Sequence, residues 1–145
     1  MPKVLVVYAS RTGDTKTIAI QIAEGIKSSE AEVKVVAVKE ITNSSDLQGY
    51  DGYVFGSATY HGEMMEAMKT LLFMAEKAKL EGKVGGAFGS YGWSGEAPDR
   101  IYQTMQNIFN MKMVNNSLRI KAPVSTDHTP VAQAYGREIC QKIKA

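Results

Sequence analysis

The chain has 145 residues, of which 44% are hydrophobic and 22% charged, with 17 lysines and arginines against 15 aspartates and glutamates. That length suits one domain able to bury a sizeable core, and the composition is that of an ordinary globular protein. A formal net charge of +2 gives no reason to expect nucleic acid or a membrane surface as partner, and no apolar run approaches the ~20 residues of a membrane-spanning helix.

Lys3 to Ala9 is a compact, valine-rich apolar run, the pattern of a strand covered on both faces. The stretch that follows, Ser10-Arg11-Thr12-Gly13-Asp14-Thr15, leads into a helical pattern from Lys16 to Ser28, with Ile18, Ile22 and Ile26 at spacing four beside Ala19 and Ala23. Strand, hydroxyl-rich turn with a glycine, then helix is the layout of an anion site: free N–H groups converge there and the helix dipole favours negative charge. The same residues also suit an ordinary capped turn, so the stretch alone leaves a phosphate cradle and a plain helix start both open.

Glu32 to Lys39 reads as a second strand, and Gly52 to Ala58 as a third. The turn Thr59-Tyr60-His61-Gly62-Glu63 is expected to open a helix that buries Met64, Met68, Leu71, Leu72 and Ala75, with Gly82 in its exit region. A fourth strand spans Lys83 to Ser90. The glycine-rich loop Ser90-Tyr91-Gly92-Trp93-Ser94-Gly95-Glu96 then leads through Pro98, suited to a first helical turn, into a helix with Ile101, Met105, Ile108 and Phe109 inside. The last strand reads in two pieces, near Lys112–Asn115 and Ser117–Ala122, whose charged alternation (Arg119, Lys121) fits a sheet edge. Thr126 to Pro130 caps a final helix with Val131, Tyr135, Ile139 and Ile143 at spacing four. The one cysteine, Cys140, sits among these apolar positions as a packed thiol; it excludes an internal disulfide and points to a reducing compartment.

Strands alternating with helices predict an α/β fold, a doubly wound five-stranded parallel sheet of order 2-1-3-4-5 with helices on both faces. Residues 1–145 are expected to form a single cytoplasmic domain. In such a sheet ligands sit beyond the carboxyl ends of the strands, where strand order reverses. The loops Ser10–Thr15, Thr59–Glu63 and Ser90–Glu96 meet at that rim. Two of them carry aromatic side chains: Tyr60 on one, Tyr91 and Trp93 on the other. A phosphate at one end and a planar ring at the other describe a mononucleotide, most simply FMN. The alternatives are a Trp93 folded back over the sheet edge and a Tyr91 pointing inward.

Ser10–Thr15 resembles the flavodoxin phosphate signature: a hydroxyl residue, any residue, Thr-Gly, any residue, Thr. Phe88-Gly89-Ser90-Tyr91-Gly92-Trp93 is similar to the flavin-stacking loop of short-chain flavodoxins, and with Ser94-Gly95-Glu96-Ala97 it is closer still to the flavodoxin domain of flavodiiron proteins. The resemblance covers essentially the whole chain. It implies a low-potential one-electron carrier with non-covalent FMN, probing redox proteins as partners: a reductase or ferredoxin-like donor and an acceptor enzyme. From the residues themselves no nucleic acid, no membrane insertion and no metal site are expected, since His61, His128 and Cys140 fall on unrelated elements; no nucleophile–base–orienter set suggests catalytic residues, and a monomer is expected. Carried over residue by residue, the resemblance assigns Ser10, Thr12, Gly13 and Thr15 to the phosphate, with Arg11 and Asp14 more exposed. Trp93 would cover one ring face and Tyr60 the other. The whole expected cofactor site adds Ala58, Thr59, His61, Gly62, Ser90, Tyr91, Gly92, Gly95 and Glu96.

Two departures from the family pattern concern the rim. His61 stands where short-chain members commonly have glycine, with Gly62 one place later, at the loop whose peptide turns over with the redox state of the flavin in this family. The chain is also slightly basic, whereas flavodoxins are usually acidic. Asp14, Glu63, Glu66, Glu96, Asp99 and Asp127 nevertheless fall near the rim while many lysines fall at the opposite pole, so the flavin face is expected to be acidic and to disfavour a reduced, anionic flavin. Rival functions are an FMN-dependent quinone or small-molecule reductase on the same fold and a stand-alone redox module serving a flavodiiron-type partner.

Overall fold

The computed structural model describes residues 1–145. Its central sheet is parallel: β1 (Lys3–Ala9), β2 (Glu32–Ala37), β3 (Gly52–Ser57) and, past a small hairpin of β4 (Thr59–Tyr60) and β5 (Glu63–Met64), β6 (Val84–Tyr91), β7 (Lys112–Met113) and β8 (Leu118–Lys121). The order is β2-β1-β3-β6-β7, with β8 also on β6. Since β7 and β8 both pair with β6 in parallel, through Val84 and Gly85 and then through Phe88 to Tyr91, they are the two pieces of one fifth strand. The strand order and the alternation of strands with helices expected from the sequence are those observed.

The two-residue period of β1 divides the core. Val4 and Val6 face α1 (Asp14–Ser28) and α4 (Thr129–Lys144), packing with Ile18, Ile22, Ile26 and Ile139. Leu5 and Val7 face α2 (Glu66–Lys77) and α3 (Glu96–Asn107), packing with Met68, Leu71, Ile101 and Met105. No helix is long and apolar enough to cross a membrane.

Helices α1 and α4 pack backbone to backbone. A Cβ placed on Gly25 would lie 2.0 Å from the Gln133 carbonyl oxygen, and one on Gly136 would lie 2.2 Å from that of Ile22. Both contacts are with backbone, so a methyl group at either position has no flexible neighbour to displace. Beside this crossing the Cys140 thiol is 1% exposed, and burial pushes its pKa up.

Four local expectations are corrected. Thr59 to Glu63 does not run straight into a helix: Thr59 pairs with Met64 and Tyr60 with Glu63 in an antiparallel hairpin, so buried Met64 sits on β5 and the helix starts at Glu66. Its two-residue tip, His61 and Gly62, has φ of 51° and 74°, the left-handed pair that a tight hairpin demands. Lys39 is not in β2, because Val38–Glu40 forms a 3₁₀ turn in which the Glu40 carboxylate accepts the Ala37 N–H at 2.7 Å. Ile108 is 56% exposed: α3 ends at Asn107, and the Phe109 N–H reaches back to the Thr104 carbonyl, turning Phe109 inward and Ile108 out. Val131 is 49% exposed, since in the first turn of α4 it is Ala132 that faces α1.

Gly136→Ala is expected to lower unfolding stability by about 2–4 kcal/mol in urea titration, by overpacking against a backbone carbonyl. Val131→Ala should stay within about 0.5 kcal/mol of the parent. Cys140 should resist a thiol reagent in the native state and react in full once urea unfolds the chain.

Candidate functional site

At the end of β1 the chain turns sharply through Ser10 to Gly13. Gly13 takes the left-handed conformation, φ 97°, as the N-cap of α1. Its N–H donates to Ser10 Oγ at 3.0 Å, while its carbonyl accepts the Thr17 N–H and hydroxyl, each at 3.0 Å. The N–H groups of Arg11, Thr12, Asp14, Thr15 and Lys16 have no acceptor in the protein. Orphan donors gathered at a helix N-terminus are what an anion needs.

The first loop is braced to its neighbours. The Thr15 and Ser90 hydroxyls hydrogen-bond at 2.7 Å in the protein interior, tying the first turn of α1 to the end of β6. Asp14 holds a fourth rim segment, because its carboxylate accepts the Val124 N–H at 3.1 Å and the Thr12 hydroxyl at 3.3 Å. The hairpin is braced as well. Thr59 Oγ1 accepts the Ala97 N–H at 3.0 Å, Ser57 Oγ accepts the Met65 N–H at 3.0 Å, and Glu63 meets Arg100 at 3.3 Å and Lys69 at 3.7 Å.

Between these segments lies an open cavity of about 420 Å³, lined by Arg11, Thr12, Asp14, Ala58, Thr59, Tyr60, Ser90, Tyr91, Gly92 and Ala122. Nine of the seventeen residues singled out in the sequence therefore share one cavity. Ser10 and Gly13 line an adjoining depression with Lys16 and Lys39. Thr15 is wholly buried, so its hydroxyl serves the bond to Ser90 and the N–H is what it can offer an anion. Tyr60 carries the Arg11 guanidinium 4.4 Å from its ring centroid and the edge of His61, also at 4.4 Å. Tyr91 is half-buried on the cavity wall, its ring 3.2 Å from where a Cβ on Gly95 would sit. Trp93 is 98% exposed and is not folded over the sheet edge. Glu96 turns one carboxylate oxygen inward without a partner and its other toward Gly62, 3.5 Å from where a Cβ would be.

Three of the six carboxylates expected to make an acidic pole are paired with cations, and Asp14, Glu96 and Asp127 are in no ion pair. Glu63 and Glu66 are paired with Lys69 and Arg100, and Asp99 lies 3.5 Å from Arg119. Arg100 and Arg119 come from elements distant in sequence from the carboxylates they meet, whereas Lys69 lies three residues from Glu66 on the same helix. Sequence reading also missed Ala122 and Val124, whose segment closes the rim beside the phosphate loop; Pro123, a turn-former after the last strand, was the available signal.

The residues present fit FMN. A loop of unsatisfied N–H groups and hydroxyls suits a phosphate, and the adjoining cavity, with Tyr60 and Tyr91 on its walls, suits a planar ring.

The Flavodoxin family model matches residues 6–132. A solved flavodoxin from the domain Archaea superposes with a TM-score of 0.93 at 32% identity, over 99% of both chains. The type A flavoprotein fprA of Rhodobacter capsulatus is 32% identical over 96% of this chain, which spans 33% of that protein. The Flv1 flavodiiron core of Synechocystis superposes with a TM-score of 0.86 at 27% identity, over 99% of this chain and 36% of that one. The chain thus spans about a quarter to a third of the length of the curated relatives it matches.

Thr15→Val should cost about 1–3 kcal/mol in urea titration, because it leaves the Ser90 hydroxyl buried and unpaired. Adding Ser90→Ala should recover part of that loss, the coupling that a double-mutant cycle reads.

Proposed function

The chain belongs to the flavodoxin family of FMN-binding electron-transfer flavoproteins, and on that premise we propose that it is a one-electron carrier shuttling between redox proteins. The observation that carries the reading is the juxtaposition of five N–H groups without acceptors and a cavity of about 420 Å³ with aromatic residues on two of its loops. When bound, FMN supplies the redox chemistry, and the protein supplies binding, orientation and electrostatics.

The Ser10–Thr15 backbone would hold the phosphate, helped by the Ser10 and Thr12 hydroxyls and the dipole of α1. Ala58, Thr59 and Tyr60 on one side and Ser90 to Trp93 on the other would hold the ring. Tyr60 would cover one face and Trp93 the other. Gly62 and Glu96 shape the turn beside it. Short loops leave the ring edge open to a partner protein and offer little room for a bound organic substrate, which favours a carrier over a quinone reductase.

A second reading, a redox module serving a flavodiiron-type protein, is favoured by the relatives in which the matching segment forms part of a longer chain and by the likeness of the Ser90–Glu96 loop. In either case a donor reductase or ferredoxin-like protein would reduce this chain, which would pass single electrons onward.

Titrating the apoprotein with FMN should quench flavin fluorescence at a one-to-one ratio; a polypeptide that stays colourless overturns the proposal. Trp93→Ala should weaken FMN binding by about three- to tenfold, the worth of one aromatic stack. The loaded protein should show no steady-state NAD(P)H oxidation with a quinone by itself, and turnover in that assay would establish the reductase instead.

A further inference from the structure

Arg11 stands apart from the cations around the hairpin and α3. Lys69, Arg100 and Arg119 each meet a carboxylate within 4 Å, but Arg11 takes part in no ion pair. Its guanidinium lies over the Tyr60 ring, 4.4 Å from the centroid. It lines the large cavity and also a second one of about 310 Å³ that shares Ala58 and Tyr60 with it. It is the one cation on the walls of the large cavity.

We propose that Arg11 sets the reduction potential of the bound flavin, favouring the reduced state by its positive charge; this rests on the FMN reading above. At neutral pH, reduction by two electrons with uptake of one proton leaves the flavin ring with one negative charge, which a nearby cation stabilises and the uncharged oxidised ring does not call for. The charges facing Arg11 do not cancel this. Asp14 is on the same cavity, and its carboxylate is taken up by the Val124 N–H and the Thr12 hydroxyl at the helix-start end. Glu63 and Glu66 line the neighbouring cavity with Arg11, and both are engaged by cations of their own. Stacking on Tyr60 holds the guanidinium at the ring end without a carboxylate, so its charge is left free to act on the cavity.

The test compares wild type, Arg11→Gln and Arg11→Lys in anaerobic titrations with oxidised FMN and with dithionite-reduced FMN. Arg11→Gln should bind oxidised FMN within about twofold of wild type and reduced FMN about three- to tenfold more weakly, a size expected for one partly screened charge. Arg11→Lys, which keeps the charge but stacks less well on Tyr60, should lose less of the preference for reduced FMN than Arg11→Gln. Raising salt from 0.05 to 0.5 M should narrow the gap between wild type and Arg11→Gln. Equal weakening in both redox states, or Arg11→Lys behaving like Arg11→Gln, would make Arg11 a packing residue and overturn the proposal. If wild type binds FMN in neither state, the FMN reading itself falls; if it binds and Arg11→Gln leaves the ratio of the two affinities unchanged, only the role of Arg11 falls.

Discussion

The left-handed backbone of Gly13 is the constraint on which the rim depends. A residue with a Cβ resists φ near 97°, and the chain needs that conformation to leave a buried parallel strand and begin a helix within four residues. Once the turn is made there, Asp14, Thr15 and Lys16 occupy the first helical turn, where N–H groups have no partner inside the helix. The same turn sets the helix phase. Thr15 then faces inward to meet Ser90 at 2.7 Å, Asp14 faces the segment after β8, and Arg11 is left on the outside to cover Tyr60. One glycine thereby fixes an anion site, a tie between two loops and the position of a charge.

Charge at the rim is arranged by contact more than by count. The carboxylates crowd toward the carboxyl ends of the strands, as the sequence suggests, yet Glu63 is shared by Arg100 and Lys69 and Asp99 is met by Arg119. Exposed pairs of this kind contribute little to stability. Their consequence is for the field: they offset the charge of Glu63 and Glu66 at the hairpin, while Arg11 is the one cation on the walls of the large cavity. Long-range steering of a basic partner is correspondingly weaker than a tally of acidic residues would suggest.

Much of the fold is legible because period and composition carry it. Lys3–Ala9 is a strand by its unbroken apolar run and is one in the structure; Ile18, Ile22 and Ile26 mark the buried face of α1 by their spacing and are buried. The 2-1-3-4-5 order follows from alternation and rim chemistry, and the split fifth strand from the two short β patterns. What escapes is shorter than a period or longer than a sequence window. Two-residue strands at Thr59–Tyr60 and Glu63–Met64 show no alternation to read, although His61-Gly62 carries the turn chemistry of a hairpin. The ends of helices hide their inward positions, so Ile108 and Val131 look like core by spacing and face solvent because the helix stops or starts there. Of the site, the three loops were legible as motifs. The segment at Ala122 and Val124 was not, since only tertiary packing brings it beside Asp14.

The cavity walls are cross-braced before any ligand enters, and this divides the energetics of binding between its two ends. Thr15–Ser90, Asp14–Val124 and Thr59–Ala97 hold the phosphate loop, the segment after β8, the hairpin and the start of α3 in fixed relation, so a phosphate meets donors already in place and little conformational entropy is lost there. Trp93 is the opposite case. At 98% exposure its side chain packs on nothing, and covering a ring face requires that it be ordered at the moment of binding, which offsets part of what stacking contributes. The phosphate end therefore supplies affinity through preorganisation, while the ring end, with a loosely held tryptophan and a charged Arg11–Tyr60 pair, is where small changes in sequence can retune redox behaviour without disturbing the fold.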